Sequence, residues 1–276
     1  SYSGASNNYS MSFDGVDDYI EFSDQDIFTP GGGTLGNGFS TSFWFQASDP
    51  TGQRILGKNN DANHHEWFVS TNTADQVKIS LYSGDNLADK ITFTLDPILA
   101  ADTWYHIVFT WDLSSTALGL IGYINGDKYS VTDGGATWVD YSQGVFTSIA
   151  NTDNTLKFGR DGISYGEILL DEVSIWNTVK DSSQIADLYN DGNPCYIDAT
   201  SSELIGWWRF EEGSGIDILD ASTNNNTGEK KNGTLFTNTV LPFCNLENVN
   251  ECDSTAVLDL IINYSVDGGC MDITAC

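Results

Sequence analysis

The chain has 276 residues, and 39 acidic residues against 11 lysines and arginines give it a formal net charge of −28. Proteins bind nucleic acids and anionic membrane surfaces through clustered Lys and Arg. The negative charge of this chain therefore excludes a nucleic acid or such a membrane as its partner. The residues are 40% hydrophobic and 12% aromatic, which is enough for a packed core. No run of about 18 apolar residues occurs, so we expect no membrane insertion.

Short segments of alternating apolar and polar residues, separated by Gly, Asn and Asp, predict strands along most of the chain. In chain order these segments are 11–13, 19–22, 39–47, 54–58, 66–70, 76–82, 90–95, 104–112, 119–125, 128–131, 155–159, 168–176 and 204–210. The one predicted helix is 181–190, with Asp181 as its N-cap. About a dozen strands and one short helix predict an all-β antiparallel sandwich.

All five cysteines lie in the last third of the chain. Their spacings fit no zinc pattern, whereas disulfides commonly reinforce thin parts of secreted proteins. We therefore expect two disulfides, and the fifth cysteine is free, forms an intermolecular bond or pairs with a residue beyond Cys276. The preferred pairs are Cys195 with Cys244 and Cys252 with Cys270.

The composition changes near the end of the chain, since no Lys or Arg follows Leu241. Residues 1–243 are therefore predicted to form the main domain, and 244–276 a Cys-containing segment or the start of a following repeat. The polar start, Ser1 to Ser10, lacks the basic and apolar regions of a signal peptide. We expect a processed form or a piece of a longer multidomain protein.

Several motifs occur in a fixed order: FDGVDDYIEF at 13–22, WYHIVFTW at 104–111, YING at 123–126, GEILLDEVSIW at 166–176, LIGWWRFEEGSG at 204–215 and DASTNNNTG at 220–228. Together they resemble the laminin-G-like, concanavalin A-like jelly rolls of large bacterial surface proteins, over nearly all of residues 11–240. The resemblance implies two curved antiparallel sheets packed face to face, a noncatalytic role in adhesion or glycan binding, and often a structural calcium ion. Some members of the family cleave polysaccharides.

Calcium takes about six to eight oxygen ligands from carboxylates, carbonyls and amides. The resemblance places such ligands at Asp14, the Gly15 carbonyl and Asp171. A carboxylate within the apolar strand ILLDEVSIW also needs a cation or backbone donors to offset its burial. We therefore expect a calcium site at these residues.

Two further calcium sites are predicted. In the first, Asp220, Asn224 and Asn226 place oxygen atoms at alternate positions of one loop. In the second, which resembles the pentraxin branch of the family, rim loops would supply Asp61 and Asp161. The alternative for every predicted calcium site is a set of solvated acidic side chains without a metal.

Catalysis in the enzymes of this family uses carboxyls at alternate positions of one strand, as Glu-x-Asp-x-x-Glu, and no such string occurs here. Asp171 and Glu172 are adjacent, so they are expected to point to opposite faces of a strand. The segment His64-His65-Glu66 is not followed by the second histidine of the metalloprotease motif His-Glu-x-x-His. We therefore expect an exposed loop there. The chain is therefore predicted to have no enzymatic activity.

Sugars are held by aromatic faces and by polar side chains in shallow sites. Four aromatic residues in or beside predicted loops form the candidate platform: Trp67, Trp138, Tyr141 and Tyr165. The alternative is that these side chains cover the edges of the core.

The sequence thus predicts a noncatalytic, calcium-stabilised module of an extracellular or cell-surface protein, with a glycan or a surface protein as ligand. A structural spacer or filament-forming repeat and a polysaccharide-active enzyme are the alternatives.

Overall fold

A computed structural model describes residues 7–31, 38–59, 65–83, 90–114, 117–140, 146, 148–194 and 197–241. The five cysteines and the predicted segment 244–276 lie outside the described residues. The domain boundary and the two disulfides, Cys195 with Cys244 and Cys252 with Cys270, therefore stay predictions.

Strands make up most of the described residues. In chain order they are β1 (Ser10–Asp14), β2 (Tyr19–Phe22), β3 (Phe39–Gln46), β4 (Arg54–Asn59), β5 (His65–Thr71), β6 (Val77–Tyr82), β7 (Lys90–Leu95), β8 (Tyr105–Trp111), β9 (Leu120–Ile124), β10 (Asp127–Tyr129), β11 (Ala136–Asp140), β12 (Lys157–Phe158), β13 (Arg160–Asp161), β14 (Ser164–Tyr165), β15 (Glu167–Trp176), β16 (Leu204–Trp208), β17 (Asp217–Ile218), β18 (Gly228–Lys231) and β19 (Leu235–Thr237). The α-helix α1 spans Ser182–Tyr189, and short 3-10 helices occur at Asp26–Phe28, Ala117–Gly119 and Asn190–Gly192. No helix within the described ranges is long and apolar enough to cross a membrane.

The strands form two large antiparallel sheets. The first has the order β10-β9-β8-β3-β15-β1-β19, with β16 also pairing with β15, and the second has the order β11-β7-β6-β5-β4-β12-β2-β18-β17. Strands β13 and β14 form a separate hairpin. The predicted antiparallel sandwich is confirmed.

The core lies between the two sheets, where the inward side chains of alternating strand positions meet. The rings of Phe93 and Phe109, one from each sheet, are 6.3 Å apart at an interplanar angle of 80°. Trp208 packs in the same way against Phe22 and Phe158 of the other sheet, at 4.7 and 5.3 Å. Each fully buried large apolar side chain of this kind contributes about 1.5–3 kcal/mol.

Helix α1 covers part of the outer face of the eight-stranded sheet, and the predicted N-cap is confirmed. Asp181 accepts hydrogen bonds from the backbone N–H groups of Ser183 and Gln184, and the Gln184 side chain completes a capping box. From this helix, the buried Ile185 packs against Val108 of the sheet.

His106 is enclosed beneath the end of α1. Its ring lies 6.0 Å from the Tyr189 ring at 14°, and Nε2 shares a 2.8 Å hydrogen bond with the Ser42 hydroxyl. Burial lowers the pKa of His106 to about 3, because the charged imidazolium would lose its hydration. The fold therefore holds this ring neutral.

We expect His106 to make stability pH-dependent. Because its folded pKa lies below the unfolded value of about 6.5, its contribution is complete above pH 6.5 and is lost as pH falls toward 3. The loss amounts to at most about 1.4 kcal/mol per pH unit. Chemical unfolding between pH 7.5 and 4.5 should show a shallower decline for His106→Gln than for the wild type. Parallel curves for the two proteins would contradict the prediction.

Candidate functional site

The structure separates two residues that were expected to share one calcium ion. In the β1–β15 register, Asp14 faces Glu167 and Met11 faces Leu170, so Asp171 lies four residues further along β15 than the partner of Asp14. Four strand residues span about 13 Å, whereas the oxygen ligands of one calcium ion lie within about 5 Å of one another. A single site formed by Asp14, Gly15 and Asp171 is therefore wrong.

Asp14 instead belongs to the acidic turn between β1 and β2. Its Oδ1 accepts a 2.8 Å hydrogen bond from the Val16 N–H, and Gly15 adopts a left-handed φ of 75° that this turn requires. One carboxylate oxygen each from Asp14, Asp17 and Asp18 lies within 4.8 Å of the others. Burial raises the pKa of Asp18, whose Oδ1 also accepts a hydrogen bond from the Gly233 N–H.

Asp171 lies in a β-bulge of β15 and is completely buried. The register with β3 shifts between Asp171 and Ser174, and Glu172 adopts a left-handed φ of 47°. The bulge interrupts the regular alternation expected for Asp171 and Glu172, and both side chains are buried. Glu172 accepts hydrogen bonds from Trp207 Nε1 and Arg209 Nε at 2.6 and 3.1 Å.

Asp171 has two donors, as Glu172 does, but neither of them is charged. Asn7 Nδ2 donates to Asp171 Oδ2 and the Glu172 N–H donates to Oδ1, both at 2.9 Å. Burial and the adjacent Glu172 raise the pKa of Asp171 well above its usual range. The Oδ1 atom of Asn7 is buried and lacks a hydrogen-bond partner in the described part of the chain. A buried carboxylate beside a buried amide oxygen without a donor is a donor set that suits a calcium ion.

The second predicted calcium loop is held by protein hydrogen bonds. Asp220 accepts four of them, from the N–H groups of Trp207, Ser222 and Asn226 and from the Ser222 hydroxyl, at 2.7–2.9 Å. The side-chain amides of Asn224 and Asn226 donate to carbonyls of β16. Protein donors thus already occupy the Asp220 carboxylate, and Gln25 Nε2 donates to the Asn226 Oδ1, so these two residues are not free calcium ligands in this loop.

The four aromatic residues of the predicted sugar platform lie in different places. Trp67 is wholly buried in the core and donates from Nε1 to the Phe28 carbonyl, so its prediction as a ligand-binding residue is wrong. Trp138 is 38% exposed on the edge strand β11. Tyr165 is half-buried and packs against the Arg160 guanidinium, 5.2 Å from its ring centroid. Tyr141 and the predicted calcium ligand Asp61 lie outside the described residues.

The outer face of the nine-stranded sheet, away from the core, carries a continuous row of residues, one from each strand. Strand registers place them in the order Asp217, Glu229, Glu21, Lys157, Gly57, Phe68, Ser80, Thr92 and Val139. Phe68 and Ser80 are buried in the middle of this row.

A chain of polar contacts crosses the outer face beside this row. His65 Nδ1 and Asn59 Oδ1 are 2.6 Å apart, and Asn59 Nδ2 donates to Asp161 Oδ1 at 2.7 Å. Asp161 Oδ2 lies 3.7 Å from Arg54 Nε. The predicted calcium ligand Asp161 is therefore oriented by an amide and a guanidinium.

One tyrosine, Tyr82, and two lysines, Lys78 and Lys90, complete this group of residues. Tyr82 stacks on His65 with ring centroids 5.0 Å apart, and Lys90 Nζ lies 5.6 Å from the Tyr82 centroid. Burial, together with the Asp161 carboxylate, raises the pKa of Tyr82 to about 12. We call the set on this face the outer-face patch; its members are Arg54, Asn59, His65, Lys78, Tyr82, Lys90 and Asp161.

A buried ion pair supports one end of the outer-face patch. Lys58 and Glu66 are both fully buried, and Lys58 Nζ lies 3.2 Å from Glu66 Oε1. Lys58 also donates to Asp24, while Glu66 accepts hydrogen bonds from Thr152. The expectation of an exposed loop at His64-His65-Glu66 is wrong for His65 and Glu66, which belong to β5 and are buried; His64 lies outside the described residues.

The acidic end of the row forms a cleft of about 360 Å³. Glu21 and Glu229 face each other across β2 and β18. Lys157 lies 3.9 Å from Glu21, and Lys231 lies 3.0 Å from Glu229. Each of the two carboxylates in the cleft therefore has a lysine partner.

The family of the chain follows from a sequence comparison. The model of the laminin G family in the concanavalin A-like lectin/glucanase superfamily matches residues 14–186, which is more than half of the chain. The chain belongs to this superfamily. No curated protein has a significant sequence match to this member of the superfamily.

Solved structures with a similar fold include a candidate carbohydrate-binding protein from Bacteroides ovatus. It is 15% identical, with a TM-score of 0.56, and the match covers 87% of this superfamily member but 63% of the other chain. A pentraxin from Limulus polyphemus is 14% identical, with a TM-score of 0.44, over 68% of this chain and 84% of its own. A sialidase from Trypanosoma rangeli is 14% identical, with a TM-score of 0.42, over 66% and 28%. The similarity to the Bacteroides ovatus protein is a similarity of fold.

We expect Asp220 to act through its hydrogen bonds. Asp220→Ala removes the acceptor of four donors and should lower the free energy of unfolding by about 2–4 kcal/mol. Urea titrations with calcium and with a chelator should give the same loss, and Asp217→Ala on the exposed part of β17 should have little effect. A loss confined to the calcium-containing sample would instead identify Asp220 as a calcium ligand.

Proposed function

We propose that the chain is a glycan-binding module of an extracellular or cell-surface protein, with the outer-face patch as its binding site. The observation that carries the proposal is the contact chain from His65 through Asn59 and Asp161 to Arg54. Fixed carboxylate and guanidinium groups at an accessible surface are groups that bind sugar hydroxyls.

The exposure of the patch also supports binding. The side chains of Arg54 and Asp161 are 28% and 22% exposed, so a ligand can reach them. Asn59, His65 and Tyr82 are buried and support these two side chains from below. The fold shared with the candidate carbohydrate-binding protein from Bacteroides ovatus agrees with this function. Tyr165, on the same hairpin as Asp161, extends the proposed contact surface. A surface protein presenting such sugars would be bound in the same way.

We propose further that the module binds without cleaving. The two carboxylates of the cleft, Glu21 and Glu229, are each paired with a lysine, and the sequence lacks the Glu-x-Asp-x-x-Glu string of the family's enzymes. A spacer that binds no ligand would not require a series of oriented polar contacts on an accessible face of the sheet.

We predict that Asp161→Ala weakens glycan binding. It removes a charged acceptor and releases Asn59 and Arg54, a loss that corresponds to roughly tenfold in Kd for about 1.4 kcal/mol. A glycan array followed by calorimetry on the strongest hits provides the measurement. The matched control is Trp138→Ala, which removes an exposed aromatic on the edge strand β11.

Three outcomes would overturn this proposal. Absence of binding to any glycan would favour the structural spacer. Equal binding by wild type and Asp161→Ala, with loss in Trp138→Ala, would move the site to β11. Release of reducing ends from a polysaccharide, abolished in Glu21→Gln or Glu229→Gln, would identify an enzyme.

We also propose a structural calcium ion at Asp171 and Asn7, separate from the acidic turn at Asp14. The support is the buried Asp171 carboxylate and the Asn7 Oδ1 atom beside it. A bound divalent cation would supply the positive charge that offsets the burial of Asp171 and Glu172.

We expect calcium to raise the melting temperature. A ligand at 100 times its Kd stabilises a protein by about 2.7 kcal/mol, so the midpoint should fall on chelation. Asp171→Asn should lose most of this response, while Asp14→Ala should keep it. An unchanged midpoint on chelation of the wild type would exclude the calcium site, and a response lost in Asp14→Ala would place it at the acidic turn.

A further inference from the structure

Lys58 is fully buried, although a lysine side chain normally keeps its ammonium group at the surface. It lies on β4, where it faces the buried Trp67 of β5 in the strand register. Its Nζ atom lies 2.8 Å from Asp24 Oδ1 and 3.2 Å from Glu66 Oε1. Two carboxylates therefore approach one amine that has no access to solvent.

The two carboxylates near Lys58 have different surroundings. Glu66 has no solvent exposure, and it accepts hydrogen bonds from the N–H and the hydroxyl of Thr152, so its position is fixed. Asp24 lies in the segment after β2, and its side chain is 31% exposed. Because Asp24 Oδ1 is bonded to the carboxyl carbon at about 1.2 Å, that carbon lies within about 4 Å of Lys58 Nζ. Amine and carboxyl are thus close to the roughly 3–3.5 Å separation of a reactive arrangement.

The contacts of Thr29 provide a place for a proton on Glu66. The Thr29 hydroxyl has one hydrogen, yet its oxygen lies 2.5 Å from Glu66 Oε2 and 3.0 Å from Asn151 Oδ1. The Asn151 amide nitrogen donates to Asp26, so its oxygen is the atom that faces Thr29. A second hydrogen is needed for both contacts to be hydrogen bonds, and a proton on Glu66 Oε2 supplies it. Lys58 Nζ, which donates to the same hydroxyl at 3.0 Å, is the nearby source of that proton.

We propose that Lys58 and Asp24 condense to an amide cross-link, with Glu66 as the catalytic residue that carries the protons. The Lys58 ammonium transfers a proton to Glu66, and the free amine attacks the Asp24 carboxyl carbon to form the new N–C bond. One C–O bond of Asp24 then breaks. Two of the three ammonium hydrogens leave with this oxygen as one water molecule, and Glu66 ends ionised, as it began. The reaction needs no oxidant and no second substrate.

Burial favours the amide over the separate charges. An ammonium and a carboxylate lose hydration at an enclosed site, whereas an amide is neutral. The water that forms can leave along the exposed side of Asp24. The product would join β4 to the segment after β2, 34 positions apart in the sequence. No cysteine precedes Cys195, so a disulfide cannot supply a cross-link within this part of the chain.

The intact mass of the full chain, measured after reduction of any disulfides, tests the proposal without a variant. The cross-linked protein should be about 18 Da lighter than its sequence requires, because one water is lost. Trypsin does not cleave after an amidated lysine. The fragment 55–78 should therefore stay uncut at Lys58 and remain attached to the fragment 1–54, which contains Asp24. A wild-type protein with the full mass of its sequence would overturn the proposal.

Two variants test the roles of the reacting groups. Lys58→Arg keeps the positive charge but cannot form this amide, and Glu66→Gln removes the proton carrier while keeping the shape of the side chain. Both should have the full mass of their sequences. The matched control is Lys180→Arg, because Lys180 is also nearly buried, with Nζ 3.0 Å from Glu203 Oε2, and this variant should still lose one water. If a variant fails to fold, the wild-type mass and the tryptic fragments still decide.

A loss of water at another position would also overturn the cross-link. An Asp-Gly sequence such as Asp161-Gly162 loses the same mass when it forms a succinimide, but the fragment masses would then place the loss there and show cleavage after Lys58. Loss of water that persists in Lys58→Arg would have the same meaning. Complete cross-linking in a folded Glu66→Gln would overturn the catalytic role of Glu66. None of these outcomes depends on the binding of a glycan.

Discussion

The buried ion pair between Lys58 and Glu66 fixes the region on which the proposed site depends. Both side chains have no solvent exposure, and they hold the segments around Asp24 and Thr152 against the ends of β4 and β5. Removing one partner of such a pair commonly costs about 3–5 kcal/mol, because the other charge remains buried. Asn59 and His65 are the residues next to this ion pair in β4 and β5. The ion pair therefore fixes the positions of these two members of the outer-face patch.

The acidic residues of the chain serve several physical roles. Asp181 caps a helix, Asp220 organises a loop, and Glu172 binds an indole and a guanidinium inside the fold. Each of these carboxylates is met by protein donors. Asp171 differs because it is completely buried, its two donors are uncharged, and it lies beside an amide oxygen without a donor. The proposed calcium ion would supply the missing positive charge.

Alternation of apolar residues predicts the long strands and the sandwich well, because inward side chains must meet in one core. It fails at β-bulges: Asp171 and Glu172 were expected on opposite faces, yet the bulge buries both. Short edge strands such as β17 and β19 have too few residues for a periodic signal. The patch was missed for another reason, since Arg54, His65 and Asp161 come from separate segments that only side-chain contacts in the folded chain connect.

The row of nine residues across the outer face has a direction. At about 4.8 Å per strand it measures roughly 38 Å, and its charge changes from Asp217, Glu229 and Glu21 at one end to the neighbourhood of Lys78 near the other. An extended ligand that lies along the row would therefore meet different side chains at its two ends. The surface would distinguish the two orientations of such a ligand.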